Sequence, residues 1–143
     1  MEVRRAKTEN QIKDALQVRY KVFVEEQRVP EEIEMDGLDE EANHFVLYHQ
    51  KKPIGAGRLR VSGTVGKVER ICVLTPYRKQ GFGKLIMDAI EQSSPQIGVS
   101  KLTLHAQSHA VPFYLQLGYE ITSEPFIEAG IEHVSMQKTV SRS

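Results

Sequence analysis

Apolar side chains recur at spacings of three and four residues near the start of the chain. These positions are Ile12, Leu16, Tyr20, Phe23 and Val24. This is the period of a helix with one buried face. Thr8 is a suitable N-cap, because its hydroxyl can accept a hydrogen bond from an amide of the first helical turn. Residues 2–7 alternate weakly and predict a short edge strand, and Pro30 is expected to end the helical region.

Three strand-like segments follow, at residues 44–49, 54–61 and 67–74. They are rich in β-branched and other apolar residues. Lys52-Pro53 predicts the turn between the first two, and Gly63 and Gly66 bracket the next turn. Because the connections are short, we expect an antiparallel meander.

The pattern changes after Pro76, where a helix is predicted at residues 83–92. The β-prone segment 101–106 is reached through that helix, so it should run parallel to the preceding strand with a right-handed crossover. A second short helix, at residues 111–117, is expected to stop at Gly118.

The last strands are predicted at residues 119–126 and 133–139, joined through Glu128-Ala129-Gly130-Ile131. Together the elements predict an α/β fold, in which a mixed, mostly antiparallel sheet of six to seven strands carries helices on both faces. No linker or repeat divides the chain, so residues 1–143 are interpreted as a single domain.

Composition restricts the function further. The 143 residues are 40% hydrophobic and 27% charged, and 19 basic side chains balance 19 acidic ones. Zero net charge argues against a nucleic-acid or other polyanion binder, and it is compatible with a homodimer. Cys72 is the only cysteine, which excludes an internal disulfide and a Cys-rich zinc site, and we expect no metal.

With no apolar run of about 20 residues and no signal-peptide pattern, the expected location is the cytoplasm, without a membrane partner.

The segment 31–41 consists mostly of carboxylates. Charged runs are usually exposed, so a solvated loop or short helix is one interpretation. The other is an acidic rim that attracts a cationic substrate.

The strongest chemical motif is Arg78-Lys79-Gln80-Gly81-Phe82-Gly83-Lys84, between a strand and a helix. Free amides at a helix start bind anions, and glycines let a diphosphate approach the main chain. Arg78, Lys79 and Lys84 add positive charge. The third glycine of a dinucleotide motif and the Gly-Lys-Ser/Thr of a nucleotide-triphosphate loop are both missing, so a nucleotide-binding switch is disfavoured. The glycines alone would also suit close helix–sheet packing.

The surroundings of this loop resemble the GCN5-related N-acetyltransferase (GNAT) family. Arg78, Gly81 and Gly83 match its Arg/Gln-x-x-Gly-x-Gly/Ala motif, preceded by Ile71-Cys72-Val73-Leu74-Thr75-Pro76. Farther on, Ala110-Val111-Pro112-Phe113-Tyr114-Leu115-Gln116-Leu117-Gly118-Tyr119 is similar to a second signature of the family. The order of elements is also the family's order, so the resemblance covers essentially the whole chain.

The resemblance implies that acetyl-CoA is the acetyl donor and lies between the strand of Ile71 to Val73 and its parallel neighbour. Ile71 N–H would polarise the thioester carbonyl, and Val73 would hold the pantetheine amides. The implied cofactor-binding set is Ile71, Cys72, Val73, Arg78, Lys79, Gln80, Gly81, Phe82, Gly83, Lys84 and Gln107. At Gln107 the family more often has Asn. Cys72 itself is interpreted as a small buried hydrophobe.

Proton transfer needs two further groups, because an ammonium is protonated at neutral pH and a thiolate leaves. Tyr114 lies where the family has its thiolate-protonating tyrosine; the alternative is a core aromatic residue. Glu69, two residues before Ile71, is expected on the same strand face and is a candidate general base. The alternative for Glu69 is an ion pair with Arg58, Arg60 or Arg70. His105 and His133 compete as bases, although a lone strand histidine is more often structural.

Two further segments, 19–27 and 130–136, resemble a bacterial branch of the superfamily near the glucosamine-6-phosphate acetyltransferases. This implies substrate-binding roles for Arg19, Glu25, Glu26, Asp36 and His133. The carboxylates would orient an ammonium group and Arg19 a phosphate or carboxylate, unless these are merely helix-surface charges. Candidate acceptors are an amino sugar phosphate, a polyamine, an antibiotic amine or a protein N-terminus. The rival function is a non-catalytic module that binds or senses acyl-CoA.

Overall fold

A mixed β-sheet of eight strands forms the centre of the molecule in residues 1–140, the part of the chain that the computed structural model describes. The strands are β1 (Glu2–Arg5), β2 (Asn43–His49), β3 (Lys52–Ser62), β4 (Val65–Val73), β5 (Lys101–Gln107), β6 (Glu120–Ile121), β7 (Phe126–Glu128) and β8 (Ile131–Thr139). Their order is β1-β2-β3-β4-β5-β8-β6, and β7 also pairs with β8. Every pair is antiparallel except β4 with β5.

The helices are α1 (Glu9–Arg19), α2 (Glu31–Glu34), α3 (Phe82–Ser93) and α4 (Val111–Gln116). Thr8 caps α1 as predicted: its side chain accepts from the Gln11 amide, and Gln11 bonds back to the Thr8 amide. A π-helical segment, Tyr20–Glu26, continues α1 directly. Pro30 lies beyond the end of that segment and is the N-cap residue of α2.

Apolar side chains fill the space on both sides of the sheet. Ile86, Met87 and Ile90 of α3 are fully buried against one face. Ala15 and Val18 of α1 and Val22 of the π-helical segment are buried against the other. The mixed sheet with helices on both faces is therefore confirmed. Within the described residues no helix has the length and apolar character needed to cross a membrane.

Three local predictions are corrected. The turn before β3 is at Gln50 and Lys51, both left-handed, with φ of 50° and 67°, so Lys52-Pro53 belongs to the strand. Gly66 lies inside β4, where a Cβ would come within 2.8 Å of Leu59 Cδ1. The single strand predicted at 119–126 is two short strands, β6 and β7, because residues 122–125 leave the ladder. The count is therefore eight rather than six to seven.

Candidate active site between two parting strands

The parallel strands β4 and β5 separate before they end. Their register runs from Val65↔Lys101 to Val68↔Leu104 and stops there. Both strands continue, to Val73 and Gln107. A cavity of about 540 Å³ opens between the parted strands, and its wall also includes residues of the π-helical segment, α2 and the β7–β8 hairpin.

A β-bulge in β4 shapes this opening. Arg58 pairs with Glu69 and Ala56 with Cys72, so Gly57 lies opposite both Arg70 and Ile71. Arg70 is left-handed, with φ of 59°. The extra residue reverses the alternation of side chains. Ile71 packs toward α3, where a Cβ on Gly57 would lie 2.7 Å from its Cδ1.

The prediction that Glu69 and Ile71 share a strand face is therefore wrong. Glu69 lies with Arg58 on the α1 side. Cys72 also packs against α1, opposite to Ile71, as expected. Burial raises the pKa of the Cys72 thiol to about 12, so this cysteine is an unreactive part of the core.

The edge of β4 that faces the cavity carries free main-chain amides. Leu74 N–H donates to Ile54 O in β3 at 2.8 Å. Because successive amides of a strand point to opposite edges, the amides of Val73 and Ile71 point away from β3, toward the cavity. This edge suits an extended ligand that carries amides and pairs like an additional strand.

The loop from Lys79 to Gly81 leads from the cavity into α3. Lys79 and Gly81 are left-handed, with φ of 64° and 83°. No side chain caps α3, and within residues 1–140 the amides of Lys79, Gln80 and Gly81 donate no backbone hydrogen bond. A Cβ on Gly81 would meet nothing within 4 Å. Free amides at the start of a 12-residue helix are groups that can bind an anion.

Two charged side chains next to the loop, Arg78 and Lys84, are already paired. Arg78 binds Glu26 with both nitrogens, Nη1 to Oε2 at 2.5 Å and Nη2 to Oε1 at 2.6 Å, and its Nε donates to Val73 O at 2.8 Å. The hydrogen bond from Arg78 lowers the pKa of Glu26. Lys84 pairs with Asp88 at 3.3 Å on the helix surface. Glu26, expected to bind substrate, thus lies at the loop and does not line the cavity.

The predicted donor-binding residues fall into two groups. Ile71, Cys72, Val73, Arg78 and Gln107 line the cavity. Lys79, Gln80, Gly81, Phe82, Gly83 and Lys84 form the loop and the first turn of α3 outside it. Gln107 Nε2 donates to Gln27 Oε1 at 3.1 Å, which joins β5 to the residue that follows the π-helical segment. The free strand edge and the free loop amides fit a donor with an amide-bearing arm and a diphosphate.

Tyr114 of α4 lines the cavity and is 9% exposed. Its ring packs edge-on against Phe113 at 4.9 Å and Tyr119 at 5.8 Å. Burial raises the pKa of the Tyr114 phenol, so it stays protonated at neutral pH. A protonated hydroxyl at the cavity wall can donate a proton.

Glu69 lines the cavity, but its carboxylate is occupied by arginines. Arg58 and Arg60 donate to Glu69 Oε1 at 3.0 and 2.6 Å, and Arg58 is fully buried. Burial opposes ionisation of Glu69, yet the hydrogen bond from Arg60 and the charge of Arg58 outweigh it and lower its pKa. The ion-pair interpretation is therefore confirmed for Arg58 and Arg60. A lowered pKa does not favour a role as base, which stays a prediction.

The acidic segment 31–41 is solvated only in part, and its role as a rim that attracts a cationic substrate stays a prediction. Five of its carboxylate residues are exposed: Glu31, Glu32, Asp36, Glu40 and Glu41. Glu34 is 3% exposed and Asp39 is partly buried, and both bind Arg19, at 2.7 and 2.8 Å. Asp36 binds Arg58 at 2.8 Å; the hydrogen bond from Arg58 lowers the pKa of Asp36 well below its ordinary value.

Besides Glu26, two more predicted substrate residues lie away from the cavity. Arg19 is fully buried behind its two carboxylate partners, and Glu25 is exposed on the π-helical segment. Neither residue is part of the cavity wall. Asp36 and His133 do line the cavity.

The sequence predicted His105 on β5 and His133 on β8 as candidate bases, but it did not predict Glu128 on β7 as part of the same group. His105 Nδ1 lies 2.9 Å from Glu128 Oε1, and His133 Nε2 lies 3.8 Å from Glu128 Oε2. All three residues line the cavity. Glu128 appeared in the sequence only as part of a connection. The signal for its position is the two-residue turn Ala129-Gly130, left-handed at both residues, which folds β7 back onto β8.

Comparison with known proteins agrees with this geometry. A family model described as an acetyltransferase (GNAT) domain matches residues 4–140. The Bacillus subtilis protein named uncharacterized N-acetyltransferase YjcF is 50% identical over 134 residues, which cover 93% of this chain and 96% of that protein. A solved Lactobacillus plantarum structure, assigned as an N-acetyltransferase, has a TM-score of 0.90 at 28% identity and covers 98% of each chain.

An aminoglycoside 6'-N-acetyltransferase complexed with coenzyme A has the same fold. Its TM-score is 0.79 at 13% identity, and the match covers 100% of this chain and 99% of that one.

Proposed function

This chain belongs to the GNAT acetyltransferase family, and we propose that it acetylates the primary amine of a small cationic acceptor with acetyl-CoA as donor. The family makes it an acetyl-CoA-dependent acetyltransferase. The observation that carries the proposal is the free edge of β4, which leads directly to the unpartnered amides before α3.

The donor would occupy these two surfaces together. The amides of Lys79, Gln80 and Gly81 would bind the diphosphate, and exposed Lys79 adds a cation beside it. The free edge from Ile71 to Val73 would pair with the pantetheine amides. Acetyl-CoA supplies the acetyl group as a thioester, whose carbonyl carbon is attacked by the amine.

Two groups of the chain would assist the transfer. Ile71 N–H would donate a hydrogen bond to the carbonyl oxygen, which becomes negative as the amine attacks. Tyr114 would give its proton to the leaving sulfur, consistent with its raised pKa and its position on the cavity wall.

The acceptor would enter on the α1 side of the cavity, between α2 and the β7–β8 hairpin. Its amine would face the carboxylates on this wall. An amino sugar phosphate is one member of this class. Arg19 is buried and held by Glu34 and Asp39, so the phosphate of such an acceptor would need another partner. Lys67 on the cavity wall, whose Nζ lies 3.7 Å from Glu69 Oε2, would take that role.

Calorimetry and turnover test this function. The wild-type protein should bind acetyl-CoA and release coenzyme A thiol when given amino sugar phosphates, polyamines, aminoglycosides or peptide N-termini in turn. Turnover with at least one amine supports the proposal. Tight binding of acetyl-CoA without turnover on any amine favours the rival function, a non-catalytic acyl-CoA sensor.

A further inference from the structure

The end of the cavity at the β7–β8 hairpin carries a carboxylate with unusual partners. Within residues 1–140, the cavity carboxylates of Glu34, Asp36 and Glu69 all pair with arginines. Glu128 instead faces two imidazoles, those of His105 and His133. No arginine or lysine in the described chain neutralises its charge.

His105 stands at the point where the strands part. Val68 and Leu104 form the last pair between β4 and β5, so His105 is the first residue of β5 beyond the pairing. Leu104 is buried in the core on the α3 side, and side chains alternate along a strand. The ring of His105 therefore projects to the other side, where it lines the cavity with 31% of its side chain exposed.

The hydrogen bond to Glu128 determines which ring nitrogen of His105 is free. A carboxylate only accepts hydrogen bonds, so the Nδ1 atom, 2.9 Å from Glu128 Oε1, carries the proton. The Nε2 atom of the neutral ring then has the lone pair. Phe126, edge-on at 5.0 Å, packs against the same ring and helps to hold its orientation.

His133 is placed differently. Its Nδ1 donates to Ile131 O at 2.7 Å and only 6% of the residue is exposed, which makes it part of the hairpin structure. Its stacked contact with Phe126, 6.0 Å between ring centres, packs the hairpin on which Glu128 lies.

From this arrangement we infer that His105 is the proton acceptor of the transfer, and that Glu128 is the positioning residue that orients it. The inference rests on the proposed function and deepens it. His105 Nε2 takes a proton from the acceptor's ammonium. The resulting amine forms the C–N bond to the acetyl carbon as the C–S bond breaks. The sulfur receives the Tyr114 proton, Tyr114 regains one from the new amide nitrogen, and His105 releases its proton to water.

The same residues indicate the acceptor's chemistry. The charge of Glu128, which no arginine or lysine among the described residues offsets, attracts an acceptor that arrives as a cation. The acceptor is therefore a primary amine that is protonated at neutral pH.

The test compares variants with wild-type enzyme on whichever amine is turned over. His105→Ala should lower kcat by about 100-fold, leave acetyl-CoA affinity within about two-fold by calorimetry, and regain activity with added imidazole. Glu128→Gln should lower kcat about ten-fold. Glu128→Asp keeps the carboxylate, so its kcat should lie between those of Glu128→Gln and the wild-type enzyme. His49→Ala and Glu124→Gln, outside the cavity wall, are the matched controls and should behave as wild type.

A second readout does not depend on turnover. Ring nitrogen NMR of the free protein should find the proton of neutral His105 on Nδ1, and Glu128→Gln should change that signal. A proton on Nε2 overturns the inference. A His105→Ala enzyme with wild-type kcat would also overturn the inference, but it would leave the proposed acetyltransferase function unchanged. A wild-type protein that binds acetyl-CoA but acetylates no amine would contradict both the proposed function and the inference about His105.

Discussion

Arg78 and Glu26 form a two-point ion pair at the mouth of the cavity, with nitrogen–oxygen distances of 2.5 and 2.6 Å. The two residues are 52 positions apart, and the sequence suggested different ligands for them, the donor for Arg78 and the acceptor for Glu26. In the folded protein the carboxylate offsets the charge of the arginine beside the loop that we propose for the diphosphate.

Removing that carboxylate should strengthen donor binding. Glu26→Gln makes the surroundings of the loop more positive, and the pair is partly exposed, so the expected gain in acetyl-CoA affinity is about two- to five-fold by calorimetry. Glu25→Gln, one residue away and exposed, is the control and should leave affinity unchanged. Weaker binding by Glu26→Gln would show that the pair builds the loop instead of competing with the ligand.

Gly81→Ala should weaken donor binding by at least ten-fold, or about 1.4 kcal/mol. Its φ of 83° is unfavourable for alanine by about 1–2 kcal/mol, so the loop amides should move from their positions. Gly98→Ala is a matched control, because Gly98 has φ of 78° and equally open space. Both variants should lose similar stability in thermal unfolding, but only Gly81→Ala should lose affinity. Equal affinities would contradict the role of this loop.

Tyr114→Phe should lower kcat by about 100-fold or more without changing acetyl-CoA affinity, because only the proton donor is removed. Tyr119→Phe is the control: its ring packs edge-on against Tyr114, and its buried hydroxyl has no partner among the described residues. Steady-state kinetics of both variants test whether Tyr114 is the proton donor. A Tyr114→Phe enzyme as active as Tyr119→Phe would assign Tyr114 to the core alone.

Glu69→Gln separates the two interpretations of this carboxylate. The variant weakens the ion pairs with Arg58 and Arg60, which should cost about 1.5–3 kcal/mol of stability. It should keep kcat within a few-fold, because His105 is the proposed base. Denaturant unfolding and kinetics on the folded variant measure both quantities. A stable variant with kcat reduced 100-fold would indicate that Glu69, and not His105, is the general base.

Acid should destabilise the protein through the same ion pairs. Arg58 lowers the pKa of Asp36, and arginines lower those of Asp39 and Glu69 despite their burial. A carboxylate with a lowered folded pKa contributes its full stability above its unfolded pKa of about 4, and loses it as the pH falls through the folded value. Melting temperatures should therefore be nearly constant from about pH 7 to 5 and fall below about pH 4. A smaller decrease of the melting temperature at acid pH in Glu69→Gln than in the wild-type protein would support the ion pairs as its cause.

Local signals predicted much of the fold and the donor loop. Thr8 caps α1 through a neighbour three residues away, and Gly118 follows α4 in the left-handed conformation. The parallel strand at 101–106 was predicted from its helical connection, and the pairing confirms it. These features depend on contacts close in sequence or on a general handedness rule.

The features that were wrong or missed depend on distant partners. The bulge at Arg70 needs a left-handed non-glycine residue, for which the sequence has no local signal, and it moved Glu69 away from the face of Ile71. The partners of Arg19 lie 15 and 20 residues away, so a basic residue in a helix could not be recognised as buried. Glu128 reaches His105 across 23 residues.

The central claim is that the loop amides bind a diphosphate while the edge of β4 binds the arm that follows it. Amide NMR titrations with coenzyme A and with pantetheine, which lacks the diphosphate, test this directly. Coenzyme A should shift the amide signals of residues 79–84 and of 71–73, whereas pantetheine should shift those of 71–73 alone. Signals of residues 79–84 that stay unchanged at saturating coenzyme A would contradict the account.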